Sequence, residues 1–380
     1  MRIIHFARDY TTHDHRFLAK MVETGHEIFF LRLEDGGQPL EDRPVPAGVT
    51  LIPWAGGAAP VTWRDAPRLV ADLKRVIRAL QPDLIQAGPV QRCAFLTALA
   101  GFRNLVSMSW GYDLLMDVNN GKAWQWATRY TLRRSAAFVG DCETIRGIAQ
   151  TCGMRPDKIV TFPWGADIQK FSPISNLQSP ITNYQSPLRL RKGWNADCFV
   201  LLSTRGWTEM YGVTDLVTAF VRLAPEFPEL RLFMLGGGPL AGRIHAAIQR
   251  AGLIDRVHFP GQINQRDLPD YYRAADLYIS TSHSDGTSIS LLEALASGTP
   301  VLLSDIPGNR EWVGQDSPAG WLFPAGDARG LEQAIRHALT QRDQLPRMGA
   351  SARRLAEERG DWDKNFPHLL EAWQMASSQD

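Results

Sequence analysis

The sequence predicts an α/β protein made of two doubly wound, Rossmann-like parallel sheets. Three observations carry that prediction. At 380 residues the chain exceeds what one hydrophobic core usually serves. Short apolar runs alternate with segments of helical spacing from residue 2 to residue 161, stop, and resume at residue 199. Between the halves lies a near-repeat, ISNLQSP at 174–180 followed at once by ITNYQSP at 181–187. Its Ser, Asn, Gln and Pro content cannot build a core and reads as a spacer. The expected division is 1–172, a linker over 173–192 and a second domain over 193–360, with a last helix at about 361–380 packing back on the first domain.

Composition excludes some functions. With 41 basic against 40 acidic residues, no global field favours nucleic acid. The cysteines at 93, 142, 152 and 198 show no metal-ligand or redox spacing, which fits a reduced, cytoplasmic compartment. MRIIHFARDY enters a strand pattern without a signal-peptide apolar region, and no run approaches the length needed to cross a bilayer, so a soluble or peripheral protein is expected.

In chain order, 2–6 reads as a strand, 17–24 as a helix and 27–33 as a strand. The intervening DYTTHDHR lies at the carboxyl end of a strand, where ligands bind in such sheets, making His13, Asp14, His15 and Arg16 candidate contacts. The alternative is a polar helix start with Asp14 near its N-terminus. A strand near 49–52, a helix over 66–80 and strands at 83–87 and 105–109 follow. The last of these runs into Trp110, Gly111 and Asp113 at another carboxyl edge, where a core Trp beside a helix-capping Asp is the other reading. KAWQWATRYTLRR at 122–134 is a helix whose basic and aromatic residues can mark a membrane interface. The favoured reading packs the aromatics on the core and solvates the arginines, because the pattern lacks a clean apolar face. A strand at 138–140, a helix at 143–152 and a strand at 158–161 end this half.

The second half opens with a strand at 199–203, the loop TRGWTEMYG and a helix through Leu216 and Phe220. A strand at 230–235 leads to Gly236, Gly237, Gly238 and Pro239; glycines at such a turn let a phosphate or sugar approach the backbone. The most informative stretch is 277–313, LYISTSHSDGTSISLLEALASGTPVLLSDIPGNREWV. It reads as strand, loop, helix over 288–297 and strand over 301–304, with Gly298 and Pro300 stopping the helix. Asp285, Gly286, Thr287, Ser288 and Ile289 would present backbone N–H groups and two hydroxyls at the helix start, a fit for a diphosphate. Seven residues separate Asp285 from Glu293, so one carboxylate lies in the loop and the other two turns down the helix. Both can point into one cleft; otherwise Asp285 caps the helix and Glu293 lies on its solvated face. A strand at 321–323 and helices at 330–339, 345–358 and 361–375 complete the chain.

Two acids so spaced, followed by LLEALASGTPVLLSD, resemble the donor-site motif of retaining glycosyltransferases of family 4. The resemblance covers most of the chain and implies the GT-B architecture, two Rossmann-like domains facing across a cleft. In the family the first acid contacts the transferred sugar and the second the ribose. Asp285 stands where Glu is usual, about 1.5 Å shorter in reach. Arg205 and Gly206 correspond to the cationic strand end, and Tyr211 stands in place of a Lys, with Arg310 a compensating cation. Residues 257–261, VHFPG, resemble the base-pocket stretch, and Gly165, Asp167, Phe171 and Pro173 match the segment that closes the first domain. Trp110 occupies the place of a sugar-contacting His.

The resemblance implies retaining transfer of a hexose-type sugar from a UDP- or GDP-sugar to a glycan, a lipid-linked acceptor or a small molecule. Asp285 and Arg205 would be catalytic. The donor would lie on Gly206, Tyr211, Gly236, Gly237, Gly238, Gly286, Thr287, Ser288, Ile289 and Glu293, and the acceptor or sugar side on His13, Asp14, Trp110, Gly111 and Asp113. No cofactor or metal is implied, since the helix dipole and arginine supply positive potential. Peripheral membrane contact is compatible with a lipid-linked acceptor. The rivals are a binding protein that keeps the pocket without turnover, and a nucleotide-sugar epimerase, which the 277–313 motif fits poorly.

Overall fold

The structure is a computed structural model that describes residues 1–36, 41–173, 186–314 and 317–378. It divides into two units, Met1–Phe162 with Phe366–Asp380, and Pro163–Asn365. The division falls between Phe162 and Pro163 rather than after 172. Residues 163–173 belong to the second unit because Ala166 donates to the Gly360 carbonyl at 2.7 Å, Trp362 donates back to Ala166, and Phe171 enters the second core. Gly165 is held at φ +76°, where a Cβ would come within 2.6 Å of the Trp362 nitrogen. Most of the near-repeat lies outside the described residues. The end of the expected linker is a helix, Pro187–Arg191, capped by Ser186 and anchored by Arg189, which donates to the Ala274 carbonyl and pairs with Asp276.

The first unit is a parallel sheet of β1 (Arg2–Ala7), β2 (Glu27–Arg32), β3 (Val49–Leu51), β4 (Leu84–Ala87), β5 (Leu105–Met108), β6 (Ala137–Gly140) and β7 (Ile159–Thr161), in the order β3-β2-β1-β4-β5-β6-β7. Its strand order reverses between β1 and β4. The helix expected from residue 17 spans Thr12–Val22, because Thr11 and Asp14 form a capping box that starts it one turn earlier. A helical stretch from Val90 to Ala100 follows β4 in addition to the helices expected. The expected 361–375 helix is two pieces, Trp362–Asn365 in the second unit and Pro367–Ser377 in the first, since Pro367 lacks the N–H needed to continue a helix. Trp373 fixes the last helix, being 1% exposed and donating from its indole to Gln86 Oε1 at 2.8 Å. In the Lys122–Arg134 helix, Trp124 and Tyr130 are half-buried, but Trp126 is 54% exposed, against the favoured reading.

The second unit holds β8 (Phe199–Ser203), β9 (Leu230–Met234), β10 (Val257–His258), β11 (Leu277–Ser280), β12 (Val301–Ser304) and β13 (Gly320–Phe323), all parallel, in the order β10-β9-β8-β11-β12-β13. Its strands are apolar at nearly every position because both faces are covered. Phe199 and Leu201 join one core, Val200 and Leu202 the other, and the same alternation runs through Leu277, Tyr278 and Ile279. Here the order reverses between β8 and β11, so the loops after those two strands meet at the carboxyl edge, the position where open α/β sheets bind ligands.

Candidate active site

The loop after β8 contributes Arg205, and the loop and helix after β11 contribute Asp285, Ser288, Ser290 and Glu293. Arg205 Nη2 donates to Asp285 Oδ2 at 2.5 Å, while Nη1 donates to Ser288 Oγ at 2.6 Å and to Ser290 Oγ at 3.0 Å. Its guanidinium lies 4.1 Å from the centroid of the Tyr211 ring. The side chain is 10% exposed and that of Asp285 21%. Burial works against the Arg205 charge, yet the neighbouring Asp285 carboxylate raises its pKa overall. Burial raises the Asp285 carboxyl, with Arg205 drawing it back only in part.

The helix after this loop, Ile289–Ala296, starts with N–H groups that have no helical acceptor. Glu293 lies just over one turn into it, 5% exposed and thus not on a solvated face. Its Oε2 accepts from the hydroxyl of the fully buried Tyr272 at 2.9 Å, and Tyr272 also meets Thr204 Oγ1 at 3.4 Å. Tyr278 donates to Ser290 Oγ at 2.8 Å. Tyr272, Tyr278, Ser290 and Thr204 were not singled out from sequence. Ser290 has no local signal apart from its spacing to Ser288, and Tyr272 reaches Glu293 only through packing of separate helices.

The glycine run also has partners within the protein, while a Cβ at Gly237 would meet open space. Gly236 N–H already donates to the Gly261 carbonyl at 2.8 Å, and Gly237 accepts from Trp207 N–H at 2.9 Å. At Gly238 a Cβ would meet the Trp207 carbonyl at 2.6 Å, so the missing side chain lets the loops after β8 and β9 touch. Gly206 carries no such crowding, its nearest neighbour being the Tyr211 ring at 3.5 Å. Gly286 and Thr287 are buried, and the Thr287 hydroxyl accepts from the Trp312 indole at 3.3 Å. Arg310, the expected compensating cation, pairs with Asp305 in a two-pronged contact at 2.5 and 3.0 Å.

In the first unit the structure corrects two candidates. Asp14 is 2% exposed, and its carboxylate is used by the Thr11 N–H at 3.0 Å and by His5 Nε2 at 3.0 Å, so it caps a helix. Asp113 is fully buried and accepts from Val90 N–H, the Ser109 hydroxyl and Trp110 N–H at 2.9, 2.7 and 3.0 Å, which fixes the turn rather than a ligand. Gly111 shapes the same turn at φ +87°. His13 and Trp110 do come together, ring centroids 5.6 Å apart, with Phe17 on the Trp110 edge. Gly88 makes room for that indole, since a Cβ there would approach its nitrogen to 2.9 Å. Arg8, which pairs with Glu34 just past β1, escaped the sequence reading.

Among the described residues no group of three or more His, Cys, Asp or Glu is placed to hold a metal ion. The chain does hold one Asp-x-Asp pair, Asp361 and Asp363, in which Asp361 accepts the Asp363 N–H at 3.0 Å. No helix among the described residues is long and apolar enough to cross a membrane.

Two family models match this chain, glycosyl transferases group 1 over residues 188–355 and glycosyl transferase 4-like domain over residues 11–165. The chain belongs to glycosyltransferase family 4. This family 4 member is 29% identical over 247 residues to the D-inositol 3-phosphate glycosyltransferase of Kineococcus radiotolerans, covering 61% of its own length and 55% of the relative. It therefore spans about half of that relative. Its fold is shared with sucrose-phosphate synthase from Thermosynechococcus elongatus, at TM-score 0.81 and 17% identity with full coverage of both chains. HepE of Anabaena, solved with UDP-glucose, superposes at TM-score 0.78 and 22% identity over 98% of this chain and 100% of HepE. These likenesses establish the GT-B architecture for the family 4 chain.

Proposed function

We propose that the protein transfers a hexose-type sugar, with retention, from a nucleotide diphosphate sugar. The observation that carries this reading is the meeting of Arg205 with Asp285, Ser288 and Ser290 at the switch point of the second sheet, beside the start of the Ile289–Ala296 helix. A diphosphate laid there faces a guanidinium, two hydroxyls and helical N–H groups aimed at the charge that grows on the leaving group. In the donor complex Arg205 would turn from Asp285 to the phosphate, freeing that carboxylate for the sugar hydroxyls. Glu293, positioned by Tyr272, would accept from the ribose. Departure of the nucleotide diphosphate passes through an oxocarbenium-like state, and the acceptor attacks the same face, its proton going to a leaving-group oxygen. Arginine and helix amides supply the positive potential, so no divalent cation is needed. The HepE complex and the phosphorylated acceptor in the relative's name favour a UDP-sugar and a small polar acceptor as the first to try.

The test is thermal stability against UDP, GDP and their sugars, followed by release of nucleotide diphosphate with candidate acceptors. A shift with one nucleotide, reduced in Glu293→Ala, with acceptor-dependent release, supports the reading; no shift with any nucleotide at millimolar ligand overturns it. The Arg205–Asp285 ion pair and the Tyr211 ring also suit a second reading, a protein that binds a nucleotide sugar without turnover. It would give the shift and no release.

A further inference from the structure

We propose that the outward face of the Lys122–Arg134 helix docks on an anionic phospholipid surface. Lys122, Trp126, Arg129 and Arg133 recur every three or four residues, and all four are exposed, so they form one stripe along the helix. The opposite side is spent on the core through Ala127, Thr128, Thr131 and Leu132. The stripe borders a shallow hollow of about 530 Å³ lined also by Gln125, Tyr130 and Arg134.

Two features separate this face from an ordinary solvated helix. The first is its charge. Lys122, Arg129, Arg133 and Arg134 share a helix that contains no carboxylate. By contrast, the Leu345–Arg359 helix balances Arg353 with Glu357 at 2.7 Å. The second is exposed aromatic surface. Trp126 is 54% exposed, and Trp63, 46% exposed, reaches the same cluster through Trp124 and Phe95 at 5.5 Å each. Met116, 46% exposed, sits on the turn before the helix. Indole rings at headgroup depth with basic side chains reaching for phosphates are the pattern of a helix lying in the interfacial plane. A soluble polyanion would use the cations but leave the indoles in water, so a bilayer accounts for both. The attraction acts within about one Debye length, about 8 Å at physiological salt.

The experiment is co-sedimentation of the full chain with phosphatidylcholine vesicles, with and without phosphatidylglycerol, alongside Trp126→Ser and the double variant Arg129→Glu, Arg133→Glu. Melting temperatures and the nucleotide-induced shift are recorded for each, so that a failure of folding or of the donor site is seen separately. The expected result is binding to the anionic vesicles alone, weakened by salt, reduced more than about tenfold in the double variant and also reduced in Trp126→Ser. Three outcomes overturn the proposal. They are no binding to anionic vesicles, binding that both variants retain, and a vesicle-free self-association abolished by Trp126→Ser, which would make the face a contact between copies. Equal affinity for soluble heparin, insensitive to Trp126→Ser, would also overturn it in favour of a general polyanion patch.

Discussion

The guanidinium carbon of Arg205 lies over the ring of Tyr211, 4.1 Å from its centroid. The ring thus holds the cation by its face, with no hydrogen bond from the phenol required. Tyr211→Phe is expected to leave nucleotide affinity and turnover within about twofold, whereas Tyr211→Ala should weaken both by about threefold or more. Titration of the nucleotide-induced melting shift in both variants checks this.

Arg205 itself meets three partners with a fixed fork, which lysine cannot reproduce. Arg205→Lys and Arg205→Ala are both expected to lower turnover by about 10²-fold or more. Arg205→Ala should also be less stable than wild type, because it leaves the Asp285 carboxylate partly buried without its counter-charge. Chemical denaturation and initial rates read the two effects separately.

Tyr272 is the support of Glu293. Tyr272→Phe keeps the packing of a fully buried ring and removes one hydrogen bond to the carboxylate, at a cost of about 1 kcal/mol in stability. Nucleotide affinity should fall severalfold while the response to different sugars is unchanged. A change in sugar preference instead would remove Glu293 from the ribose.

Gly212 is held at φ +57°, and a Cβ there would come within 2.2 Å of the Thr281 carbonyl. Gly212→Ala is expected to cost more than about 1 kcal/mol and to spread the loops after β8 and β11. Urea unfolding and the nucleotide shift should therefore fall together.

His258 stacks on Tyr271 at 6.4 Å and 10°, and burial, helped by the charge of Lys192, lowers its pKa to about 4. The unfolded chain takes up this proton near pH 6.5 and the folded chain only near 4. Its contribution to stability is complete above pH 6.5 and is lost as the pH falls towards 4. His258→Phe, which keeps a ring on Tyr271, should flatten the fall in unfolding free energy over that window.

What was readable in the sequence is what depends on neighbours along the chain. Fully buried parallel strands are continuous apolar runs, so Phe199–Ser203 and Val301–Ser304 stand at the residues expected, and the amphipathic Ala66–Leu80 likewise. The acid spacing, the glycine stop and the Arg205 strand end are equally local. Tertiary structure decided the rest. Asp14 and Asp113 look like candidate ligands in sequence, but besides their local partners Thr11 and Ser109, His5 on β1 and the Val90 N–H after β4 claim their oxygens. Arg205 meets Asp285 across 80 residues because the sheet order reverses between β8 and β11 and brings the loops after them together, whereas Tyr272 meets Glu293 across 21 because the helices before and after β11 pack on one another. Trp126 stays in solvent because the inner face of its helix is already filled by smaller residues. Hydrophobic periodicity specifies which face of an element is buried, but a polar side chain's partner depends on which other element arrives beside it, and only the folded chain determines that.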